Sequence, residues 1–177
     1  MGCANANFSY SKLKMPHTYT LEQTQNIPKP IEEVFDFFSR AENLETLTPD
    51  TLSFKILTPL PIEMKVGTLI DYRIKISGIP VKWRTEITEW HRNVSFRDVQ
   101  HWGPYKKWDH RHFFEKIPGG TRMKDLVEYQ MPLGPLGWVV HWVRVRRQLK
   151  DIFEFRRSKI EQLFGVWKDG NALGPST

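Results

Sequence analysis

From Thr18 to Met131 the apolar positions recur mostly every second residue, the period of strands with one buried face. Thr18 to Gln25 alternates and is rich in Thr, which predicts a first strand, and Asn26-Ile27-Pro28-Lys29-Pro30 ends it. The period then changes. Ile31, Val34, Phe35 and Phe38 fall at i, i+3, i+4 and i+7, one apolar stripe of a short helix. Pro30 suits its first turn, and Glu32 and Glu33 complement its positive end. Ala41 to Leu47 predicts a second short helix, stopped by Pro49. Ser53 to Leu57 is a brief strand, followed by a Pro- and Gly-containing loop to Gly67. Thr68 to Ser77 alternates, with Ile70, Tyr72, Ile74 and Ile76 on one side. Gly78-Ile79-Pro80 predicts a turn. Val81 to Trp90 alternates again, with Val81, Trp83, Thr85 and Ile87 on one side. One buried and one wet face imply an antiparallel sheet.

Two further strands flank Gly103-Pro104. Val94 to Gln100 places Phe96, Asp98 and Gln100 on one face; Lys107 to Lys116 places Trp108, His110, His112 and Phe114 on one face. A hairpin folded about Pro104 sets Asp98 near His110 and Gln100 near Trp108. Pro118-Gly119-Gly120 turns the chain again, and Thr121 to Met131 is the last strand. Its more apolar set is Met123, Asp125, Val127, Tyr129 and Met131, so Asp125 is a second acidic group on the inward face. Pro132 to Gly137 is a breaker-rich connection. Trp138 to Phe164 has no Pro or Gly. Trp138, Trp142, Val145, Leu149, Ile152, Phe153, Ile160 and Leu163 follow helical spacing, so one long amphipathic helix is expected, with Gly165 as its C-cap.

Strands in succession with helices at the ends imply an α+β fold. The 177 residues fit one domain, residues 17–164, between a flexible leader (1–16) and a flexible tail (165–177). The net charge is +6, and residues 138–164 hold seven Lys or Arg against three Asp or Glu. That excess suits an anionic surface or, more plainly, a solvated helix face. Asp151 and Glu154 interrupt it and no nucleic-acid module is present, which argues against nucleic-acid binding. Cys3 is the single cysteine, so no intrachain disulfide can form, and a nucleophile motif is lacking. Met1-Gly2-Cys3 opens like a myristoylation site, but Ala6 stands where Ser or Thr is needed. With no signal peptide and no membrane-length apolar run, the cytoplasm is the expected location.

The order of elements, with Pro30-Ile31-Glu32-Glu33-Val34-Phe35-Asp36-Phe37 near the start, resembles the SRPBCC superfamily of START-related lipid carriers, birch-pollen-type allergens, polyketide cyclases and coenzyme Q-binding proteins. Gly103-Pro104-Tyr105, Trp108, His110 and His112, followed by Gly120-Thr121, Met123, Asp125 and Tyr129, resembles its bacterial ligand-binding branch. The resemblance covers residues 17–164. It implies a helix-grip fold: a curved antiparallel sheet, two short helices and one long C-terminal helix enclosing a cavity. It supplies no catalytic set for these residues, because one fold hosts many activities.

The candidate chemistry centres on His110-Arg111-His112. The two imidazoles, with Asp98 and Gln100, either address the polar end of a ligand or form a network that satisfies buried polar atoms. Tyr72, Trp83, Phe96, Trp108 and Tyr129 either line a ligand cavity or are ordinary core. Trp138, His141 and Trp142 begin the last helix beside a Gly/Pro loop, as a lid, a membrane-touching edge or a helix anchor. Two His at i, i+2 with carboxylates nearby match divalent-metal chemistry, but no third His lies near them, and neither a metal nor a cofactor is assigned. The expected function is to bind a hydrophobic small molecule, such as a lipid, isoprenoid quinone or polyketide, as carrier or sensor. The alternative is a cyclase or dehydratase with His110 as acid/base and Asp98 or Tyr129 assisting. A third option is a peripheral module that touches membranes through the last helix.

Overall fold

A computed structural model of the protein describes residues 17–76, 78–132 and 141–168. The expected leader, most of the tail, and Trp138 lie outside the described residues, as does the side chain of His141. Seven strands form one antiparallel sheet: β1 (Thr18–Ile27), β2 (Lys55–Ile56), β3 (Leu69–Ile76), β4 (Ile79–His91), β5 (Ser95–Trp102), β6 (Lys107–Ile117) and β7 (Gly120–Gln130). Their order across the sheet is β1-β7-β6-β5-β4-β3-β2. Helices α1 (Ile31–Phe38) and α2 (Asn43–Thr46) follow β1, and a 3-10 turn (Asp50–Leu52) leads to β2. A π turn (His141–Val145) opens the last helix, α3 (Arg146–Phe164). This is the expected α+β, helix-grip architecture.

Several boundaries differ from the sequence expectation. Ile79 and Pro80 belong to β4 rather than to a turn, paired with Ile76 and Lys75. Gly78 takes the positive φ of 81° that the reversal requires, so the chain can resume a strand at once. The second helix shrinks to one turn at Asn43–Thr46. In the last helix, Trp142 and Leu163 fall on the apolar stripe that the spacing predicts, yet both are exposed. The π turn inserts i→i+5 geometry, which shifts the phase of residues before Arg146 relative to those after it. Leu163 lies in the final turn, next to the C-cap Gly165.

The face covered by helices has a solid end and a hollow end. At the solid end, Ile31, Val34, Phe35 and Phe38 of α1 are buried against Phe96, Phe114, Met123 and Ile160. Phe35 meets the rings of Trp90, Phe96 and Phe114 edge-on at 5.3, 6.0 and 5.2 Å. Toward the other end, Leu149 and Phe153 of α3 stand over Ile74, Trp83, Trp108 and Val127. The helix bridges a gap there rather than filling it.

The opposite sheet face carries an ion-pair ladder. Arg97 Nε and Nη2 donate to Asp109 Oδ1 and Oδ2 at 2.9 and 2.7 Å, and Nη1 donates to Glu89 at 2.7 Å. Asp109 is buried, and although burial alone would raise its carboxyl, the Arg97 fork holds it below the ordinary range. Arg97→Met removes that fork and leaves Asp109 with only the longer contacts to Lys107 and Arg111, at 3.8 and 3.6 Å. It is expected to cost about 1–3 kcal/mol, read as a lower urea midpoint at unchanged slope.

Candidate functional site: a polar cluster at the wall of an apolar cavity

The hairpin β5–β6 sets the site. Asp98 pairs with His110 and Phe96 with His112, the register expected of a fold about Pro104. Across the next ladder, His112 pairs with Asp125. Three neighbouring strands therefore bring Asp98, two imidazoles and Asp125 onto one face. Gly103 permits the turn to close tightly, because a side chain there would strike the Gln100 amide. That amide is engaged locally: Gln100 Nε2 donates to the Tyr105 carbonyl at 2.6 Å.

Asp125 Oδ1 sits 3.1 Å from His110 Nε2 and 2.7 Å from His112 Nδ1. The first is a hydrogen bond, and the second is a close contact off the hydrogen-bond line. On the other side, Asp98 Oδ2 lies 3.7 Å from His110 Nδ1 and 3.4 Å from His112 Nε2. Thr85 donates its hydroxyl to Asp98 Oδ1 at 3.2 Å. The imidazoles overlap with centroids 3.9 Å apart, and Phe96 stacks on His112 at 4.2 Å. From α3, Arg156 Nη1 reaches within 3.9 Å of Asp125 Oδ2, with its guanidinium over the Phe153 ring.

Burial and charge split the two histidines. Burial and then the neighbouring His112 hold His110 below the ordinary imidazole range. Burial alone would lower His112 as well, but Asp125 and Asp98 outweigh it and raise this group. Burial opposes ionisation of Asp98 and Asp125 too, yet the imidazoles hold both carboxyls below their ordinary range. Tyr72 is pushed well above the ordinary phenol value by burial and by Asp98, so it stays a neutral hydroxyl.

This cluster forms one wall of a cavity of about 320 Å³ between the sheet, the α2 region and α3. Of the residues proposed from sequence, Tyr72, Trp83, Phe96, Asp98, Trp108, His110 and His112 line it, whereas Gln100, Tyr129 and Trp142 do not. Gln100 braces the β5–β6 turn. Tyr129 is buried in the core, stacked on Tyr19 at 5.4 Å and edge-on to Tyr105 at 5.7 Å, and burial pushes its phenol up to about 12. Trp142 is 56% exposed beside Arg146, whose guanidinium lies 5.4 Å from its ring centre. Much of the remaining lining is apolar, including Ile70, Ile74 and Leu149.

Sequence reasoning missed Arg156. It lines the cavity, and its Nε and Nη1 are buried without a hydrogen-bond partner among the described residues. A signal was present: Leu149, Phe153, Arg156 and Ile160 fall at i, i+4, i+7 and i+11, so Arg156 occupies an inward position of the helix. Alternation alone places Asp125 on the inward face, but its contact with both imidazoles depends on the β6–β7 register.

Fold and cavity together define a helix-grip protein with a ligand-sized hollow under its last helix. A model of the polyketide cyclase / dehydrase and lipid transport family matches residues 27–153. The chain belongs to this family, within the SRPBCC superfamily. Among solved structures it is similar to TTHA0849 from Thermus thermophilus, at 18% identity and a TM-score of 0.66 over 81% of this chain and 95% of that one. Ara h 8.0201 gives 17%, 0.56, 82% and 99%, respectively. Ginseng major latex-like protein 151 from Panax ginseng gives 14%, 0.58, 83% and 97%. These likenesses concern the fold. None of the curated proteins matches the chain. Among the described residues, no helix is long and apolar enough to cross a membrane.

Proposed function

We propose that the protein binds a hydrophobic small molecule in this cavity, as a carrier or sensor. The observation that carries the reading is the shape of the polarity: a largely apolar hollow in which Asp98, His110, His112 and Arg156 gather in one cluster, apart from Arg40. Such a site buries a ligand's body and fixes one end of it. Trp83 Nε1 and Arg156 Nε and Nη1 are buried donors without hydrogen-bond partners among the described residues. A ligand that offers an acceptor, such as a carbonyl, carboxylate or phenolic oxygen, relieves that cost. Family membership supports a ligand of lipid or polyketide type.

Native mass spectrometry and organic extraction of the purified chain test this directly. The expected result is an apolar molecule that copurifies and is lost on extraction. Ile152 lines the cavity from α3 and is half-buried, so Ile152→Trp can send its added ring into the hollow. That variant is expected to stay folded by circular dichroism and to lose most of the copurified ligand. A folded variant that retains the full complement overturns the assignment of the cavity as the binding site.

A second reading, an enzyme of cyclase or dehydratase type, is favoured by one observation. His110 lines the cavity within reach of two carboxylates, the arrangement a general acid or base needs. Incubating the copurified molecule with fresh protein and with His110→Ala separates the readings: turnover lost with affinity kept supports an enzyme, and an unchanged molecule supports a carrier.

A further inference from the structure

The two sides of the histidine pair are not equivalent. On the Asp125 side the contacts are tight, at 3.1 and 2.7 Å to a single oxygen. On the Asp98 side the distances are 3.7 and 3.4 Å, beyond ordinary hydrogen-bond length. With a neutral ring, His110 donates its Nε2–H to Asp125 Oδ1. The ring's lone pair then belongs to Nδ1, which faces the Asp98 carboxylate at 3.7 Å, and His112 Nε2 lies 3.4 Å from the same oxygen. A lone pair turned toward an anion repels it unless a cation lies between them. Charge points the same way, since the cluster holds two carboxylates and one guanidinium, which lies against Asp125. A proton on His112 is one remedy; a metal ion is the other.

We infer that Asp98, His110 and His112 form a binding site for a divalent first-row transition cation of the Zn²⁺ type. One donor atom from each of the three residues lies within 4.8 Å of the others. Ligands about 2.1 Å from a tetrahedral Zn²⁺ stand about 3.4 Å from one another, close to the separations found on the Asp98 side. Two imidazoles and one carboxylate are a donor set that suits Zn²⁺ and neighbouring metals better than Mg²⁺ or Ca²⁺. Asp125 then plays the part of the outer carboxylate that fixes the tautomer of the liganding His110 ring. Its Oδ1 also lies 2.7 Å from His112 Nδ1, and Arg156 in turn pairs with it. Thr85 positions Asp98 from the far side. Because all three ligands line the cavity, the remaining coordination position faces the hollow. A polar oxygen of a cavity ligand can occupy it, but the cation site does not depend on any such ligand.

The test uses the full-length chain, treated with chelator, dialysed, and titrated with ZnCl₂ or CoCl₂ alone. One equivalent of Zn²⁺ per chain is expected to bind and to raise the melting temperature, because the site exists only in the folded state. Co²⁺ is expected to give visible absorption bands of a low-coordinate N/O site. Asp125→Asn, which keeps the shape but removes the charge behind both rings, should weaken Zn²⁺ by about 10–100-fold. His112→Gln and Asp98→Asn remove direct ligands and should weaken it further, while His101→Ala, on the exposed pair with Glu86, should leave it unchanged. Two results overturn the site: the folded wild-type chain takes up no stoichiometric Zn²⁺, or its uptake and thermal shift survive in folded Asp98→Asn. The wild-type measurements stand even if a histidine variant does not fold.

Discussion

Phe35→Ala is expected to remove about 3–5 kcal/mol of stability, read by urea unfolding of the full chain. Phe35 is 1% exposed and is the hub of the solid end of the molecule. Truncation leaves the edges of Trp90, Phe96 and Phe114 facing a void. Backbone strands surround these rings, so the walls cannot collapse far, and the cavity cost adds to the lost transfer energy. A domain of this size has about 5–15 kcal/mol in all, so the variant should lie near its unfolding threshold at room temperature. The effect also reaches the site. Phe96 touches Phe35 on one side and stacks on His112 on the other, so its freedom becomes the freedom of the imidazole. A loss below about 1 kcal/mol would mean that the surrounding rings repack, and that the two ends of the domain are less distinct than their packing indicates.

That division between a solid and a hollow end explains which parts of the molecule were legible in the sequence. Alternation and turn residues find the strands, though not the start of β4 at Ile79, because each is a local statement about one face. Gly103-Pro104 fixes the centre of the β5–β6 hairpin, and so the pairing of Asp98 with His110 follows from the residues alone. The helix α1 declares itself by a stripe and two acidic residues at its start. What escapes is whatever depends on a contact between elements. Gln100 shares the face of Asp98 by alternation, yet a carbonyl in the adjacent turn captures its amide. Tyr129 alternates inward correctly, but it packs against Tyr19 and Tyr105 and does not line the hollow. Arg156 reads as one more cation of a solvated helix, and only docking of α3 shows that it points at Asp125. Trp142 follows helical spacing, and the π turn then places it outward. Polar residues that assemble across elements leave no local period. They are found only as exceptions to one, as a cation on an apolar stripe or an acid on an inward strand face.

Those exceptions are where stability and function part company. Asp125→Ala is expected to cost about 3–5 kcal/mol in urea unfolding, because it leaves His110 without its acceptor and Arg156 and His112 without their buried counter-charge. Taken alone, such a loss would suggest that the cluster exists to hold the fold together. The companion variant tests that idea. Replacing the whole set with apolar residues (Asp98→Val, His110→Leu, His112→Leu, Asp125→Leu and Arg156→Met) removes every charged partner at once, so no charge is stranded and only the Thr85 hydroxyl loses its acceptor. Buried charged groups spend most of their mutual attraction on desolvation, and well-packed apolar replacements are often neutral or stabilising by about 1–4 kcal/mol. The five-fold variant is therefore expected to be at least as stable as the wild type while losing Zn²⁺ binding and selection of a ligand's polar end. Stability at or above the wild-type value means that selection has kept five desolvated polar groups for what they bind. A loss larger than that of Asp125→Ala would reverse the conclusion, making the network a structural element that the sheet and α3 require in order to dock.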